Sequence, residues 1–207
     1  MLVSDEMFES QGETHILHPA SRSLFRFWDA IRAERSAPSR SELDLGKIRT
    51  LIPSLFIAEY ATTARMYRWR LAGTAICELY CRELTGTDML AGWDGFETDI
   101  ITRYLNATMN NRQPSVLRFR LQTDRQQMIG AELMAFPLLA ADGITTHIFG
   151  GLFPFRETWS LGYTEITHFE LSAARSVWTE NLPTIAPEPV GAVKPKHNFH
   201  VIFGGRV

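Results

Sequence analysis

Glu132 has the most unusual setting for chemistry, because it is a carboxylate in the middle of the apolar stretch Met128 to Leu139. A buried carboxylate needs hydrogen bonds or a cation partner. One interpretation is a strand carboxylate bonded to a backbone amide or an arginine, and the other is a polar anchor in a ligand pocket. We favour the structural interpretation. His147, alone in an apolar run, is likewise more typical of a hydrogen-bonded core histidine than of a ligand.

Metal-ligating and nucleophilic residues do not form a motif. His15 and His18, and again His197 and His200, are three apart, which suits metal binding on a helix, but both pairs lie in predicted tails without a third ligand nearby. Surface histidines are the better interpretation. No Ser, His and Asp order, phosphate-binding glycine loop or paired carboxylates rises above chance. We therefore expect no metal and no catalytic residue.

The composition is that of an ordinary globular protein. Hydrophobic residues make up 45% and charged residues 21% of 207, enough for one well-buried domain with extensions. A net charge of -2 gives no electrostatic indication of a nucleic-acid partner. No apolar run approaches membrane-spanning length, and residues 1 to 6 lack the features of a signal peptide. With only Cys77 and Cys81, which we expect to be small buried residues, no disulfide framework exists. These features predict a soluble, cytoplasmic protein without membrane insertion.

The elements that must position these residues begin with Tyr67 to Ala72. Tyr67, Trp69 and Leu71 alternate with two arginines, which is the pattern of a half-buried strand. Gly73 then turns the chain into a helix with Thr74 as the predicted N-cap.

The other elements follow from the same two periodicities. Four further strands and four helical segments are predicted: strands Leu55 to Tyr60, Val116 to Gln122, Met128 to Leu139 and Thr145 to Phe153, and helical segments Ser21 to Arg35, Leu43 to Leu51, Phe96 to Asn111 and Thr164 to Trp178. Asp142-Gly143 predicts a hairpin turn between the last two strands. Because arginines mark edge strands, we expect Tyr67 to Ala72 and Val116 to Gln122 at opposite edges of a five-stranded antiparallel sheet.

The order of these elements resembles a PAS domain, and in particular a small bacterial, single-domain PAS subfamily. The specific part is the block from Leu71-Ala72-Gly73-Thr74 to Leu84-Thr85-Gly86. Supporting motifs are Phe27-Trp28, Pro38-Ser39-Arg40, Leu51-Ile52-Pro53-Ser54-Leu55-Phe56 and Glu132-Leu133-Met134-Ala135-Phe136-Pro137-Leu138. The resemblance covers about Ser21 to Phe155. Cys81 departs from it, because such sequences tend to have glycine there.

The resemblance implies an α+β fold with strand order 2-1-5-4-3, helices on one face and an N-terminal capping helix. Together with the polar start and the Pro-rich end of the chain, it gives the expected domains: a flexible N-terminus over 1–20, a PAS domain over 21–156 and an extension over 157–207, partly helical and then Pro-rich. Flavin photochemistry would need a cysteine in an Asn-Cys-Arg-like motif, and haem would need a histidine on the long helix. The chain has neither, so we expect no cofactor, although an unknown small molecule is possible as ligand.

A ligand pocket is expected between the concave face of the sheet and residues 75–111, where Gly86, Gly92 and Gly95 interrupt the cover. Its predicted lining is largely aromatic: Tyr80, Trp93, Tyr104, Glu132, Met134, Phe136 and Phe149. The first helix packs either on its own core or on a second subunit. We expect a homodimer through its wide apolar stripe, formed by Leu24, Phe25, Phe27, Trp28 and Ile31.

The sequence thus predicts a non-catalytic sensory or regulatory module that binds a small molecule, a signalling protein or both. Two alternatives stay open. One is a small enzyme on a cone-like α+β fold, with Glu132 or His147 as general base. The other is a structural adaptor without a ligand, whose core is packed solid.

Overall fold

The computed structural model describes residues 15–140, 145–156 and 165–177. Three α-helices, α1 Pro19–Arg32, α2 Thr74–Leu79 and α3 Gly95–Asn110, accompany two 3-10 segments, Arg40–Glu42 and Leu45–Ser54. The strands are β1 Leu55–Ala61, β2 Met66–Ala72, β3 Ser115–Thr123, β4 Met128–Leu139, β5 Thr145–Pro154 and β6 Ile166–Ser176. They form one antiparallel sheet in the order β2-β1-β5-β4-β3-β6.

The predicted α+β fold and the order 2-1-5-4-3 are confirmed, but a sixth strand is added beside β3. The helix predicted for Thr164 to Trp178 is wrong within the described residues, because Ile166–Ser176 pairs with β3 along its length. Register shifts leave Thr167 and Ser172 as extra residues in this strand. Its inward residues therefore fall three or two apart instead of strictly two, which imitates helical spacing.

β3 consequently lies between two strands, and its predicted edge position is wrong. Its arginines have partners across the sheet. Arg118 pairs with Glu132 of β4, and Arg120 pairs with Glu170 of β6. β2 does lie at an edge, as predicted. Outward arginines thus mark cross-strand ion pairs here as well as a sheet edge.

Two apolar clusters pack on the two faces of the sheet. One lies under α2, α3 and the segment between them, and includes Trp69, Leu84 and Leu105. The other lies under α1 and the 3-10 segments, and includes Trp28 and Phe136. No helix in the described part of the chain is long and apolar enough to cross a membrane.

The apolar stripe of α1 is covered by the sheet of its own chain. Leu24 and Trp28 are fully buried, Phe25 and Phe27 are buried in the same cluster, and Ile31 packs at its margin. The Trp28 indole N–H donates to the Pro137 carbonyl, 3.2 Å away. The stripe is therefore not the exposed surface that the predicted dimer interface required, and its width is explained by one deep intramolecular contact.

The turn into α2 differs from expectation in one respect. The N-cap is Gly73 and not Thr74. A side chain at Gly73 would place its Cβ 2.3 Å from the Pro53 carbonyl oxygen, so only glycine fits. At the other end of α2, Cys81 has a φ of 52°, in the left-handed region that glycine normally occupies. The chain keeps the turn that a glycine would make, with a cysteine in it.

Candidate functional site

The candidate site is a small cavity between the sheet and the helical layer. Its lining is apolar and aromatic throughout: Trp69, Tyr80, Met89, Leu90, Trp93, Ile101, Leu117, Phe119 and Leu133. The volume open to the centre of a water molecule is about 20 Å³, enough for one water-sized occupant. The position between sheet and helices is the predicted one, and the lining carries no charged side chain.

Aromatic rings surround this cavity in a continuous series. Trp93 lies edge-on to Phe119 of β3, with ring centroids 5.2 Å apart, and Trp69 of β2 lies edge-on to Tyr80 at 6.2 Å. Phe169 of β6 then packs behind two of the lining rings: it stacks on Trp93 at 5.0 Å and lies 5.9 Å from Tyr80. Two of the rings that line the cavity are thus backed by a strand outside the core resemblance.

Of the predicted pocket residues, Tyr80 and Trp93 line the cavity, and Tyr104 packs at the margin of the same cluster. Met134, Phe136 and Phe149 belong to the cluster under α1, so their predicted place on the cavity face is wrong. Side chains alternate along a strand, and it is Leu133 of β4 that faces the cavity. The doubly apolar pattern of β4 gave no sign of which face was which.

Sequence reasoning missed most of the strand side of the lining. Leu117 and Phe119 could have been found, because their alternation with Val116 and Arg118 already separates two faces. Trp69 could have been found in the same way, because it alternates with Arg68 and Arg70. Phe169, which packs on two of the lining rings, could not have been found, because its segment was predicted to be helical.

Glu132 lies on the face opposite the cavity and is fully buried. Its two carboxylate oxygens accept the backbone N–H groups of Leu17 at 3.0 Å and His18 at 2.9 Å. Arg118 Nε lies 3.5 Å from the same carboxylate. This is the structural interpretation favoured from the sequence. The carboxylate anchors the chain entering α1, so its predicted place in the pocket is wrong.

His18, whose backbone N–H donates to Glu132, is the N-cap residue of α1. Its Nδ1 accepts the Ala20 backbone N–H at 3.1 Å, and its ring stacks on Phe153 with centroids 5.4 Å apart. Burial lowers the pKa of His18, although the nearby Glu132 carboxylate opposes that shift. The neutral imidazole is therefore the form that caps the helix.

His147 also lies away from the cavity. Its neighbour Ile148 belongs to the cavity-side cluster, so the alternation of β5 turns His147 to the other face. Nε2 lies 3.6 Å from Glu59, whose carboxylate also pairs with Arg68. Burial, with Arg40 nearby, lowers the pKa of His147. Neither candidate base therefore meets the cavity.

The cysteines and histidines form no cluster of metal ligands in the described ranges. No group of three His, Cys, Asp or Glu side chains comes together there, and His197 and His200 lie outside those ranges. Cys77 is half-buried, its thiol lies 3.8 Å from the Ala72 carbonyl, and burial raises its pKa. Cys81 is exposed, contrary to the prediction that both cysteines are buried.

Among the solved structures that are similar to this chain are three light-oxygen-voltage proteins. The LOV protein of Rhodobacter sphaeroides matches with a TM-score of 0.41 and 11% identity, over 56% of this chain and 69% of that one. A light-oxygen-voltage domain with a flavin analogue gives 0.42 and 12%, over 57% and 89%. The light state of the blue-light photoreceptor Aureochrome1 LOV gives 0.40 and 9%, over 57% and 94%. These overlaps are too loose to transfer a ligand.

The search of curated proteins gives no match. The family model described as PAS domain matches residues 16–153, which is about two thirds of the chain. Its limits enclose α1 and the first five strands, and β6 follows after them. The chain belongs to the PAS domain family.

Proposed function

We propose that this protein is a non-catalytic sensory module that binds a small, neutral molecule beside Tyr80 and Trp93 and passes the change to a signalling protein. PAS domains are sensory signalling modules, which supports the coarser part of this proposal. The observation that carries the finer part is the cavity, which is lined by aromatic and aliphatic side chains and has no charged side chain in its lining. Such a lining suits an apolar ligand held by packing.

The position of the two candidate bases supports a non-catalytic function. The Glu132 oxygens accept two backbone N–H groups, and His147 lies on the face opposite the cavity. A general base has to reach the proton of a bound substrate. The titratable side chain in the described cavity lining is Tyr80, and burial raises its pKa, which disfavours the deprotonated form that a general base needs.

The small volume of the cavity favours a second candidate, the structural adaptor whose core is packed solid. About 20 Å³ holds one water and no metabolite unless side chains move. The two candidates differ in their response to ligands. A sensor gains about 2.7 kcal/mol at a hundred times the dissociation constant, whereas an adaptor gains nothing.

The test is thermal unfolding of the intact protein against a library of neutral metabolites, together with mass analysis of whatever denaturation releases. A concentration-dependent rise in melting temperature that is lost in Trp93→Ala supports the sensor. If no compound shifts the melting temperature and nothing is released, the adaptor is the better function. Trp28→Phe, on the opposite face of the sheet, is the matched control for the loss of a tryptophan.

A further inference from the structure

Phe169 of β6 occupies a defined slot beside the cavity. Its ring stacks on Trp93 with an interplanar angle of 27° and lies 5.9 Å from the Tyr80 ring at 33°. On another side lies the backbone of Gly92, where an added Cβ would come within 2.9 Å of the Phe169 ring. The slot is thus bounded by two aromatic faces and a glycine, and it fits one flat ring.

This ring and a backbone hydrogen bond both join β6 to the helical layer, and Ile166, Leu171 and Ala174 pack against the same cluster. The backbone N–H of Leu171 donates to Glu97 Oε1 at 2.7 Å. Glu97 is in the first turn of α3, where a glutamate commonly bonds back to the N-cap residue; here it reaches across to the strand instead. Both contacts lie in the first half of β6, Ile166 to Leu171.

The two halves of β6 are separated by a bulge. Ala173 pairs with Arg118 and Leu171 pairs with Phe119, which leaves Ser172 as an extra residue between them. The second half is anchored differently, because Val177 is buried in the cluster under α1 and its N–H donates to the Pro114 carbonyl at 2.7 Å. A bulge interrupts the ladder, so the first half can leave β3 while the second half stays.

We propose that this slot is a binding site for a neutral, planar aromatic molecule and that Phe169 is its built-in occupant. A ligand ring takes the place of Phe169 between Trp93 and Tyr80, and the segment Ile166 to Leu171 is released from the sheet edge. The strand that carries Phe169 lies beyond the residues that match the PAS family, so this occupant belongs to the extension of this chain. The inference rests on the proposed function and names the ligand class of that site.

The test uses indole as a neutral planar probe and hydrogen exchange of the full chain followed by mass spectrometry. In the wild-type protein, indole should accelerate exchange of Ile166 to Leu171 while the β4 amides keep their protection. Phe169→Ala should bind indole at least tenfold more tightly than the wild type, because the slot is already empty. Phe169→Leu, which keeps apolar bulk in the slot, should not show that gain.

Equal indole affinity in the wild type and Phe169→Ala, with no change in β6 exchange, overturns the inference but leaves the cavity as a ligand site. Absence of indole binding to a folded Phe169→Ala overturns it as well.

If Phe169→Ala does not fold, Gly92→Ala provides the second variant, since its Cβ displaces the ring. Gly86→Ala is its control: Gly86 has a φ of +82°, close to the +93° of Gly92, but no heavy atom lies within 4 Å of its added Cβ. Faster β6 exchange in Gly92→Ala alone supports the slot, and equal exchange in both variants overturns it.

Discussion

Replacing Glu132 by alanine should destabilise the fold without affecting the cavity. The carboxylate is fully buried and accepts the N–H groups of Leu17 and His18 at 3.0 and 2.9 Å. A hydrogen bond to a charged group contributes about 1.5–3 kcal/mol, so two contribute about 3–6 kcal/mol. Water can reach part of the freed backbone, because Leu17 is 50% exposed, and this lowers the expected loss to about 2–4 kcal/mol.

The assay is urea unfolding followed by tryptophan fluorescence. With a slope of about 2 kcal/mol per molar urea, Glu132→Ala should lower the midpoint by about 1–2 M. Glu132→Gln keeps one carbonyl acceptor and should lose about half as much. A loss below about 0.5 kcal/mol in the alanine variant would refute the anchoring role. So would a glutamine variant as unstable as alanine, because the charge of Glu132 and not the hydrogen bonds that it accepts from two backbone N–H groups would then dominate.

Three further predictions concern other positions. Burial lowers the pKa of His18 in the folded protein below its ordinary value of 6.5, so the unfolded chain takes up the proton first as the pH falls. The contribution of neutral His18 to stability is therefore fully present above pH 6.5 and is lost as the pH falls through the folded pKa. His18→Asn, which can cap α1 but does not titrate, should reduce that loss in melting curves at acid and neutral pH. Cys81→Gly should raise the free energy of unfolding by up to about 1 kcal/mol. It removes the backbone strain of a non-glycine residue in the left-handed region, about 1–2 kcal/mol, but glycine loses more conformational entropy on folding. Cys81→Ala keeps the strain and should give no gain. Leu24→Ala should cost about 2–5 kcal/mol at every protein concentration, whereas a loss that disappears on dilution would restore the dimer interpretation of α1.

The five family strands could be predicted because each depends on local pattern. Tyr67 to Ala72 alternates, and Met128 to Leu139 was predicted with the bounds that the structure has. Periodicity records burial along one element, so it locates strands well. It does not state which face of a doubly apolar strand meets which layer, and this is why Leu133 was missed while Met134 was placed on the cavity face.

The apolar stripe of α1 shows a related limit. Leu24, Phe25 and Trp28 predict one wide contact surface, and the sequence leaves two partners open, the chain's own sheet or a second subunit. The choice between these two partners depends on the three-dimensional packing and not on the pattern of the helix. Here β4 and β5 cover the stripe, with Phe136 stacked on Trp28 at 5.1 Å. Within the described residues, the first of these two partners, the chain's own sheet, is the one in place.

A polar residue in an apolar strand, such as Glu132, is easier to interpret from the sequence than an apolar residue such as Phe169. A carboxylate in an apolar strand demands a partner, and the demand is visible in the sequence whichever residues supply it. Phe169 makes no such demand, and the bulges at Thr167 and Ser172 hide the strand that carries it. Yet it is Phe169 that packs on Trp93 and Tyr80, two of the rings that line the cavity. Neither the periodicity of β6 nor the family resemblance indicates this contact, so the aromatic slot could be found only from the packed structure.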